Sequence, residues 1–361
     1  MFTKQDTNRI KGIAILMMLM HHCFVGAYMY DGYNISFWPF SENFINNFSW
    51  YGKLCVSMFA FCSGYGLYKS FQNQSSISAW IRSRMWSVYK NYWLIFVVSA
   101  IISLLISGLP LIAYYQNGIF IGHFNLLMDF MGLSSFLGTP SLNGAWWYLS
   151  VLISTILLMP IFVTCLNKFH YWSFGLIIIL PRILGVTFQG NNAPWSFMFI
   201  TLLGVCFAMF NLFERISNLQ IISKSSMLND GLYFIIGCAF VAWSYIIYTT
   251  LPVETFYEIN YGIVPLILII FLWHSVIHIP FIETVLEKIG KRSGDIFYTH
   301  IFFRSFYATD FIFNQKHFLI SIVVLLTLSI MASIVLDIIR KALKATIKLL
   351  RCPPSKQSYL R

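Results

Sequence analysis

The sequence contains few charged residues. Only 10% of its 361 residues are Asp, Glu, Lys or Arg, and 58% are hydrophobic, whereas soluble domains usually contain about 25% charged residues. A soluble core of this size could not bury that much apolar surface, so membrane lipids must surround much of the chain. The composition therefore excludes a soluble enzyme and predicts an integral membrane protein.

Several other signals are missing. The seven cysteines stand singly, without a CxxC pair or a Cys/His cluster, so we expect no metal site. Low-complexity segments and recognisable repeats are also lacking, which favours a single helical domain. We expect no appended soluble catalytic domain, and any chemistry must then be done by the helical bundle itself.

Long apolar runs are abundant, and ten of them approach the ~20 residues that a membrane-spanning helix needs. They lie at 10–30, 48–70, 88–108, 145–166, 170–188, 196–213, 231–250, 260–279, 295–313 and 318–340. We therefore predict an all-α integral membrane protein, a polytopic bundle of about ten transmembrane helices. The bundle would occupy residues 1–345, and a short basic cytoplasmic tail would follow at 346–361.

Basic residues are distributed unevenly between these runs. If the amino terminus is cytoplasmic, 20 of the 24 lysines and arginines fall in segments that face the cytoplasm. This asymmetry satisfies the positive-inside rule and predicts that both termini are cytoplasmic. The net charge of +11 is then explained by the basic residues of the cytoplasmic segments. It gives no reason to expect nucleic acid as a partner.

Two connections between the runs are distinctive. The cytoplasmic connection at about 71–87 is polar and then basic, and the external one at about 109–144 is long and half-apolar. Long loops without structure of their own are uncommon unless they are functional, so we expect an interfacial or re-entrant helix in the external one. An eleventh span there would invert the downstream topology and destroy the charge asymmetry.

Two adjacent histidines, His21 and His22, lie deep in the first predicted span. Lys11 precedes His22 by eleven residues, roughly 16 Å along a helix, so His22 should lie past the bilayer midplane. Ionisable groups inside a membrane are costly and usually face a cavity or a partner. The plainer alternative is a pair hydrogen-bonded between helices. Because consecutive residues point about 100° apart, we expect the two rings to have different roles.

Basic and small residues mark the second and third spans. Ser63, Gly64 and Gly66 are typical of close packing between membrane helices. The segment IRSRMWSVYKNYW at 81–93 carries basic side chains where the third span enters from the cytoplasm. Such a cluster can anchor lipid headgroups or bind phosphates, for which the arginine fork is suited.

Aromatic and ionisable residues mark two later segments. Trp146, Trp147 and Tyr148 open the fourth span, where they predict either an interfacial aromatic belt or a stacking surface for sugars. In the ninth span, Asp295, His300 and Arg304 could form an internal ion-pair ladder, and His300 could instead belong to a site.

Taken in this order, the segments resemble acyltransferase family 3, bacterial-type membrane O-acyltransferases of surface glycans. The resemblance covers nearly the whole chain. It rests on KGIAILMMLMHH, FAFCSGYGLYKSF, RSRMWSVYKNYW, WWYLSVL and IGKRSGDIFYTHIF. It implies an O-acetyltransferase of the bacterial plasma membrane that uses acetyl-CoA as donor substrate and needs no bound cofactor.

The resemblance also implies which residues act. An arginine followed after ten residues by an essential histidine corresponds here to Lys11 and His22, with lysine as a departure. Two arginines three apart correspond to Arg84 and Ser87, so the second cation is missing. The implied donor-binding residues are Lys11, Arg82, Arg84 and Lys90, with Lys291 and Arg292 as further cations at the same rim.

The implied chemistry centres on His22, either as general base toward a sugar hydroxyl or as transient carrier of the acyl group. The acceptor would be a cell-surface or lipid-linked glycan. The residue that orients the His22 ring could be His21, Asp31, Glu42 or Asp129, and the sequence does not decide between them. Possible further site residues are His21, His300 and Arg304. The expected acceptor-binding residues are Trp146, Trp147 and Tyr148, with Trp195 as a further stacking face. The residues expected to gate access of the acceptor are Tyr114, Tyr115 and His123.

Two other classes of function are open from the sequence. A multi-span exporter of an envelope precursor would also need buried ionisable residues, although no pair of Gly/Pro-interrupted spans marks inverted repeats. A non-catalytic scaffold would tolerate loss of His22. The sequence carries no signal for oligomeric state.

Overall fold

The computed structural model describes residues 2–107, 111–116, 122–184, 194–219, 226–252 and 256–351. Regular structure in these ranges is helical, and the β contact found there is one isolated bridge between Ser36 and His317. The prediction of an all-α protein is confirmed. Residues 352–361 of the predicted tail lie outside the described ranges.

Sixteen α-helices, named here in chain order, make up the described part. They are α1 Lys4–Phe24, α2 Glu42–Tyr51, α3 Cys55–Phe71, α4 Ile77–Ser107, α5 Gly122–Phe130, α6 Ser134–Leu137, α7 Tyr148–Phe169, α8 Trp172–Ile183, α9 Met198–Met209, α10 Leu212–Ser217, α11 Ser226–Thr250, α12 Val264–Ser275, α13 Ile282–Lys291, α14 Ser293–Phe302, α15 Thr309–Phe313 and α16 Phe318–Arg351. π-helical turns at Ile259–Ile263 and Phe303–Tyr307 precede α12 and follow α14.

A helix lies in each of the ten predicted windows. Within the described ranges, four helices (α4, α7, α11 and α16) are long and apolar enough to cross a membrane. The number of ten spans and the cytoplasmic termini stay predictions. The connection expected at 71–87 is shorter than predicted, because α4 already begins at Ile77.

The predicted external connection contains helices of its own. The described parts of 109–144 include a 3-10 turn at Leu111–Tyr115, α5 and α6. Its residues 109–110 and 117–121 lie outside the described ranges. The helix expected in this connection is therefore present, while its interfacial or re-entrant position stays a prediction.

Helix α1 begins at a capping box. The Thr3 hydroxyl accepts the backbone N–H of Asp6, and the Asp6 carboxylate accepts the backbone N–H of Thr3, which satisfies two donors that a helix start leaves open. From this fixed start, α1 runs through the bundle without interruption to Phe24. Lys11, His21 and His22 therefore lie on one continuous helix.

Glycines bring α1 against α13. A Cβ on Gly290 would lie 1.7 Å from the Asn8 carbonyl oxygen, and one on Gly12 would lie 2.3 Å from that of Leu286. Such contacts between backbones need residues without side chains. The two glycines therefore fix the position of α1 relative to α13.

The same kind of contact joins α3 and α9. A Cβ on Gly64 would lie 2.2 Å from the Thr201 carbonyl oxygen, and one on Gly204 would lie 2.3 Å from that of Phe61. The predicted packing role of Gly64 is thus confirmed. Gly66 has nothing within 4 Å of its Cβ position, so it takes no part in this interface.

Candidate active site

His22 lies beside two other imidazoles. Its ring centroid is 4.9 Å from that of His300 on α14 and 5.2 Å from that of His21. The ring is half-buried and forms no hydrogen bond with the described residues. Both of its ring nitrogens are therefore available to a ligand or to a neighbouring imidazole.

The hydrogen bonds of His300 define its tautomer. Its Nδ1 lies 3.1 Å from the Ile296 carbonyl oxygen and 2.9 Å from that of Phe297. Because a carbonyl oxygen only accepts, Nδ1 carries the proton and Nε2 is the acceptor. That Nε2 is buried and has no hydrogen-bond partner among the described residues. His300 thus presents an unpaired acceptor inside the bundle, with His22 as a ring neighbour.

His21 is held differently. Its Nδ1 lies 2.9 Å from the carbonyl oxygen of Ser49 at the end of α2, so this nitrogen donates to the backbone. The two adjacent histidines therefore make different contacts. His21 is hydrogen-bonded to the backbone of α2 through one ring nitrogen, whereas His22 is not.

Arg304 approaches the histidines from the π-helical turn after α14. Its Nη2 donates to the Met29 carbonyl oxygen at 3.1 Å. Both Arg304 and Lys53 act electrostatically on His22. The surroundings of His22 are consequently cationic.

The ion-pair ladder expected in the ninth span does not form. Asp295 accepts hydrogen bonds from Arg340 at 2.9 Å and from Ser333 at 2.8 Å, both on α16. Its carboxylate is therefore directed to the last helix and away from His300 and Arg304.

A cleft of about 260 Å³, called here the inner cleft, opens beside α1. Helices α1, α3, α4, α7 and α14 line it with Lys11, Phe59, Ser63, Ser87, Val88, Asn91, Tyr148, Leu152, Ser293, Gly294, Phe297 and Tyr298. Lys11 is half-buried and forms no hydrogen bond or ion pair with the described residues. The inner cleft thus contains an unpaired ammonium group among hydroxyl, amide and aromatic side chains.

Arg84, on α4, is a second basic residue that is unpaired within the described part of the chain, although it does not line the inner cleft. It lies three residues before Ser87, which places both on one side of the helix. Its guanidinium forms no hydrogen bond or ion pair within the described residues, and its Nε is buried. Ser87, at the position of the missing second arginine, lines the inner cleft itself.

Arg82 and Lys90 lie elsewhere on α4. Both are exposed, and Arg82, five residues before Ser87, projects from the opposite side of the helix. Among the four cations that the resemblance implied, Lys11 alone lines the inner cleft, and Arg84 lies one helical turn before Ser87, which also lines it.

Other basic residues near this end are already paired. Arg9 lies 2.8 Å from Glu283, Lys291 lies 2.6 Å from Glu287, and Arg292 lies 3.0 Å from Asp337. Together with Arg340, they form what we call the paired rim. Their charges are compensated, in contrast to those of Lys11 and Arg84.

A continuous row of side chains leads from the inner cleft to His22. Phe297 lines the cleft, and its ring lies 6.2 Å from that of His300, which in turn lies 4.9 Å from His22. The arrangement combines an unpaired ammonium group, aromatic side chains and an imidazole with free nitrogens. Chemically, it suits a long ligand with an anionic head and a reactive carbonyl.

The three predicted acceptor residues lie in different surroundings. Trp146 is buried, donates its indole N–H to the Tyr298 carbonyl oxygen at 3.1 Å and packs against Tyr92. Trp147 is half-buried, and Tyr148 lines the inner cleft. Trp146 therefore packs within the bundle and also lines a cavity together with Trp147.

The carboxylates considered as partners of His22 are engaged elsewhere or exposed. Asp129 accepts hydrogen bonds from Tyr115 and the Leu142 backbone, Glu42 accepts one from Tyr30, and Asp31 is exposed. The predicted gating residues also separate, since Tyr115 is fully buried and His123 is exposed. The imidazole of His300, which the sequence left outside the list of partners, lies beside His22 with a ring-centroid distance of 4.9 Å.

No metal-binding group of three or more His, Cys, Asp or Glu side chains occurs among the described residues. One family model, described as an acyltransferase domain (acyltransferase family 3), matches residues 6–338. The match runs from the first turns of α1 into α16 and contains both the inner cleft and the histidines. No curated protein and no solved structure matches the chain.

Proposed function

The chain belongs to acyltransferase family 3 and is a membrane acyltransferase, and from this we propose that it moves an acetyl group from acetyl-CoA to a sugar hydroxyl. The donor would come from the cytoplasm, and the acceptor would be a cell-surface or lipid-linked glycan at the bacterial plasma membrane. One observation carries the proposal: the unpaired Lys11 in the inner cleft is connected through Phe297 and His300 to His22.

The donor end of the proposal rests on charge. Phosphates of a nucleotide cannot enter lipid, and they bind well to ammonium and guanidinium groups. Lys11 and Arg84 have no competing carboxylate among the described residues, so they are free to hold the phosphates. The flexible arm of the donor then follows the cleft past Phe297, and its thioester reaches His22.

The transfer step assigns His22 and His300 different roles. Neutral His22 takes the proton of the sugar hydroxyl as the hydroxyl oxygen attacks the thioester carbonyl carbon. The carbon–sulfur bond then breaks, the thiolate leaves and takes up a proton, and an ester and free CoA result. His300 acts as a positioning residue, because its Nε2 acceptor can hold an N–H of His22 and leave the other nitrogen as the base.

Two routes are compatible with these residues. In direct transfer, His22 is only the base, whereas in the two-step route its nitrogen carries the acetyl group before the sugar attacks. Arg304 and Lys53 would stabilise the negative charge that develops on the carbonyl oxygen in either route.

The test uses the purified full chain in lipid nanodiscs with acetyl-CoA and a glycan acceptor. We expect His22→Ala to lose 10²–10⁴-fold of the rate of CoA thiol release, the usual size of a general-base contribution. His317→Ala, a histidine of the Ser36–His317 bridge region, serves as control and keeps its rate. Full activity of His22→Ala would refute the proposed role, and absence of acyl-CoA turnover by the wild type would favour an exporter.

A further inference from the structure

A second cavity, called here the outer cavity, lies on the other side of the start of α7. It has a volume of about 300 Å³. Trp147 and Ser150 line it, whereas Tyr148 and Leu152 line the inner cleft. The first turns of α7 thus separate two cavities of different chemistry, one with an unpaired ammonium group and one without a cationic side chain among its lining residues.

The lining of the outer cavity is rich in hydroxyl groups. Its wall carries five of them, together with the Asp129 carboxylate and the indoles of Trp146 and Trp147. The hydroxyl-bearing residues are Ser134, Ser135, Thr139, Ser141 and Ser150. By contrast, the cavity between α11 and α12 is lined mainly by Ile and Phe side chains. A hydroxyl-rich wall beside an aromatic face is suited to a polyhydroxylated ring, which has polar edges and apolar C–H faces.

Several polar groups in this wall have no partner. The Thr139 Oγ1 is buried without a hydrogen bond among the described residues. The Ser135 hydroxyl and the Trp147 indole N–H likewise form none there. Buried polar groups in native proteins are almost always hydrogen-bonded. An occupant that donates and accepts hydrogen bonds would satisfy the buried Thr139 Oγ1 and would also pair with the two half-buried groups.

The wall is held in shape by Asp129. Its Oδ2 accepts the Leu142 N–H and the Tyr115 hydroxyl, each at 2.7 Å, and its Oδ1 accepts the Ser134 hydroxyl at 3.2 Å. Ser150 also donates to the Gly132 carbonyl oxygen at 3.2 Å. The hydrogen bonds of Asp129 therefore hold the wall of the cavity in place. They leave the Thr139 hydroxyl without a partner among the described residues and available to a ligand.

The outer cavity rests directly on the turn of α14 that carries His300. Trp146 and Asn143 both donate to the Tyr298 carbonyl oxygen, at 3.1 and 3.2 Å. The Trp146 ring also packs against Phe302 at 5.9 Å. Tyr298 and Phe302 flank His300 in the sequence, so the wall of the outer cavity and the histidine pair are supported by one turn of helix.

We propose that the outer cavity binds one pyranose ring of the acceptor glycan, an inference that rests on the proposed function. Trp147 would stack on the C–H face of the ring, and Thr139 and Ser135 would bind its hydroxyls. The volume is at the lower end of ~300–1,000 Å³ typical of ligand pockets, which suits one ring. Further sugars of the glycan would extend outside the cavity.

The test is saturation-transfer NMR on the full chain in nanodiscs, with methyl glucoside, methyl galactoside and methyl N-acetylglucosaminide as probes and glycerol as a ringless polyol. We expect saturable binding of at least one pyranoside and none of glycerol. Trp147→Phe, which keeps a ring and removes the N–H, should weaken binding at least threefold, and so should Thr139→Val.

Matched controls come from an exposed position on α8 and from the last helix. Trp172→Phe changes an 84% exposed indole, and Thr346→Val changes a hydroxyl on α16, so both should leave binding unchanged. His22→Ala should also bind the sugar normally. Absence of saturable binding, or equal binding by wild type, Trp147→Phe and Thr139→Val, would overturn the proposal and leave a cavity that holds water only.

The two proposals fail in different ways. If the wild type transfers acetyl groups and neither Trp147→Phe nor Thr139→Val raises the KM for acceptor, the sugar subsite is wrong and the enzymatic function stands. If pyranosides bind as expected and the wild type releases no CoA, the subsite stands and the acetyltransferase assignment is wrong.

Discussion

Two groups of basic residues at the same end of the bundle differ in what they contact. In the paired rim, Arg9, Lys291, Arg292 and Arg340 each lie within 3.0 Å of a carboxylate oxygen. Lys11, two residues after Arg9 on α1, lies in the inner cleft and has no such partner in the described part of the chain. Adjacent cations can thus serve structure in one case and remain free for a ligand in the other.

This difference shows why the number of basic residues does not define an anion site. A carboxylate beside a cation compensates its charge and also repels an incoming phosphate. The carboxylates Glu283, Glu287, Asp295 and Asp337 all belong to α13, α14 or α16. The position of the acidic residues therefore separates the paired rim from the free cations.

Replacing Lys11 should have the largest effect on donor binding. A hydrogen bond to a charged group contributes about 1.5–3 kcal/mol, so we expect Lys11→Ala to raise the KM for acetyl-CoA roughly 10- to 150-fold. The control Lys11→Arg keeps the charge and should stay within a few-fold of the wild type. Steady-state kinetics of CoA release measures both, and an unchanged KM in Lys11→Ala would remove this residue from the donor site.

Replacing Arg84 should have an intermediate effect. It does not line the inner cleft and lies one helical turn before Ser87, which does line it. We therefore expect Arg84→Ala to raise the KM for acetyl-CoA about 3- to 10-fold, less than Lys11→Ala. Arg84→Lys should recover part of the loss. Donor titrations at low and high salt would check the electrostatic origin, since screening by salt should raise the wild-type KM more than that of Arg84→Ala.

Replacing Arg340 should change stability and leave donor binding unaltered. Its ion pair with Asp295 is partly exposed, and such pairs contribute about 1 kcal/mol or less. We expect Arg340→Ala to lower the Tm by about 1 °C with an unchanged KM for acetyl-CoA. A double-mutant cycle with Asp295→Asn, followed by thermal unfolding, measures the coupling. A higher KM in Arg340→Ala would mean that the paired rim also binds the donor.

The smallest effect is expected for Lys90. This side chain is exposed on α4 and lies apart from the inner cleft, so Lys90→Ala should keep the KM for acetyl-CoA within about twofold. Arg82→Ala is its matched counterpart, a second exposed cation of α4 outside the cleft lining. A KM change as large as that of Arg84→Ala would show that the whole basic segment binds the donor.

The sequence predicted the helices better than their contacts. Apolar runs located a helix in each predicted window because hydropathy is a local property. The start of α4 at Ile77 was missed because polar residues such as Ser78 and Arg82 read as a connection, although they extend the helix outside its apolar part. A helix boundary within a polar segment depends on contacts that hydropathy does not register.

The candidate site was predicted only in part, for the same reason. His22 and Lys11 are eleven residues apart on one helix, so their relation could be derived from helical geometry. The approach of His300 to His22 joins α1 to α14 and needs the tertiary fold. The sequence drew attention to Ser87 only because it stands where the family has a second arginine. That Ser87 lines the inner cleft became visible only in the structure. The pairing of Asp295 with Arg340 equally depends on how α14 meets α16.

One feature of α1 has a consequence for the choice of donor. Lys11 and His22 lie on a single uninterrupted helix, which glycine contacts hold against α13, so their separation of roughly 16 Å acts as a molecular ruler. A short activated acetate such as acetyl phosphate, whose anionic group and carbonyl are directly bonded, cannot touch both ends. If Lys11 and His22 hold the two ends of the donor as proposed, this ruler would select long-armed thioesters by length, whatever the size of the acyl group that they carry.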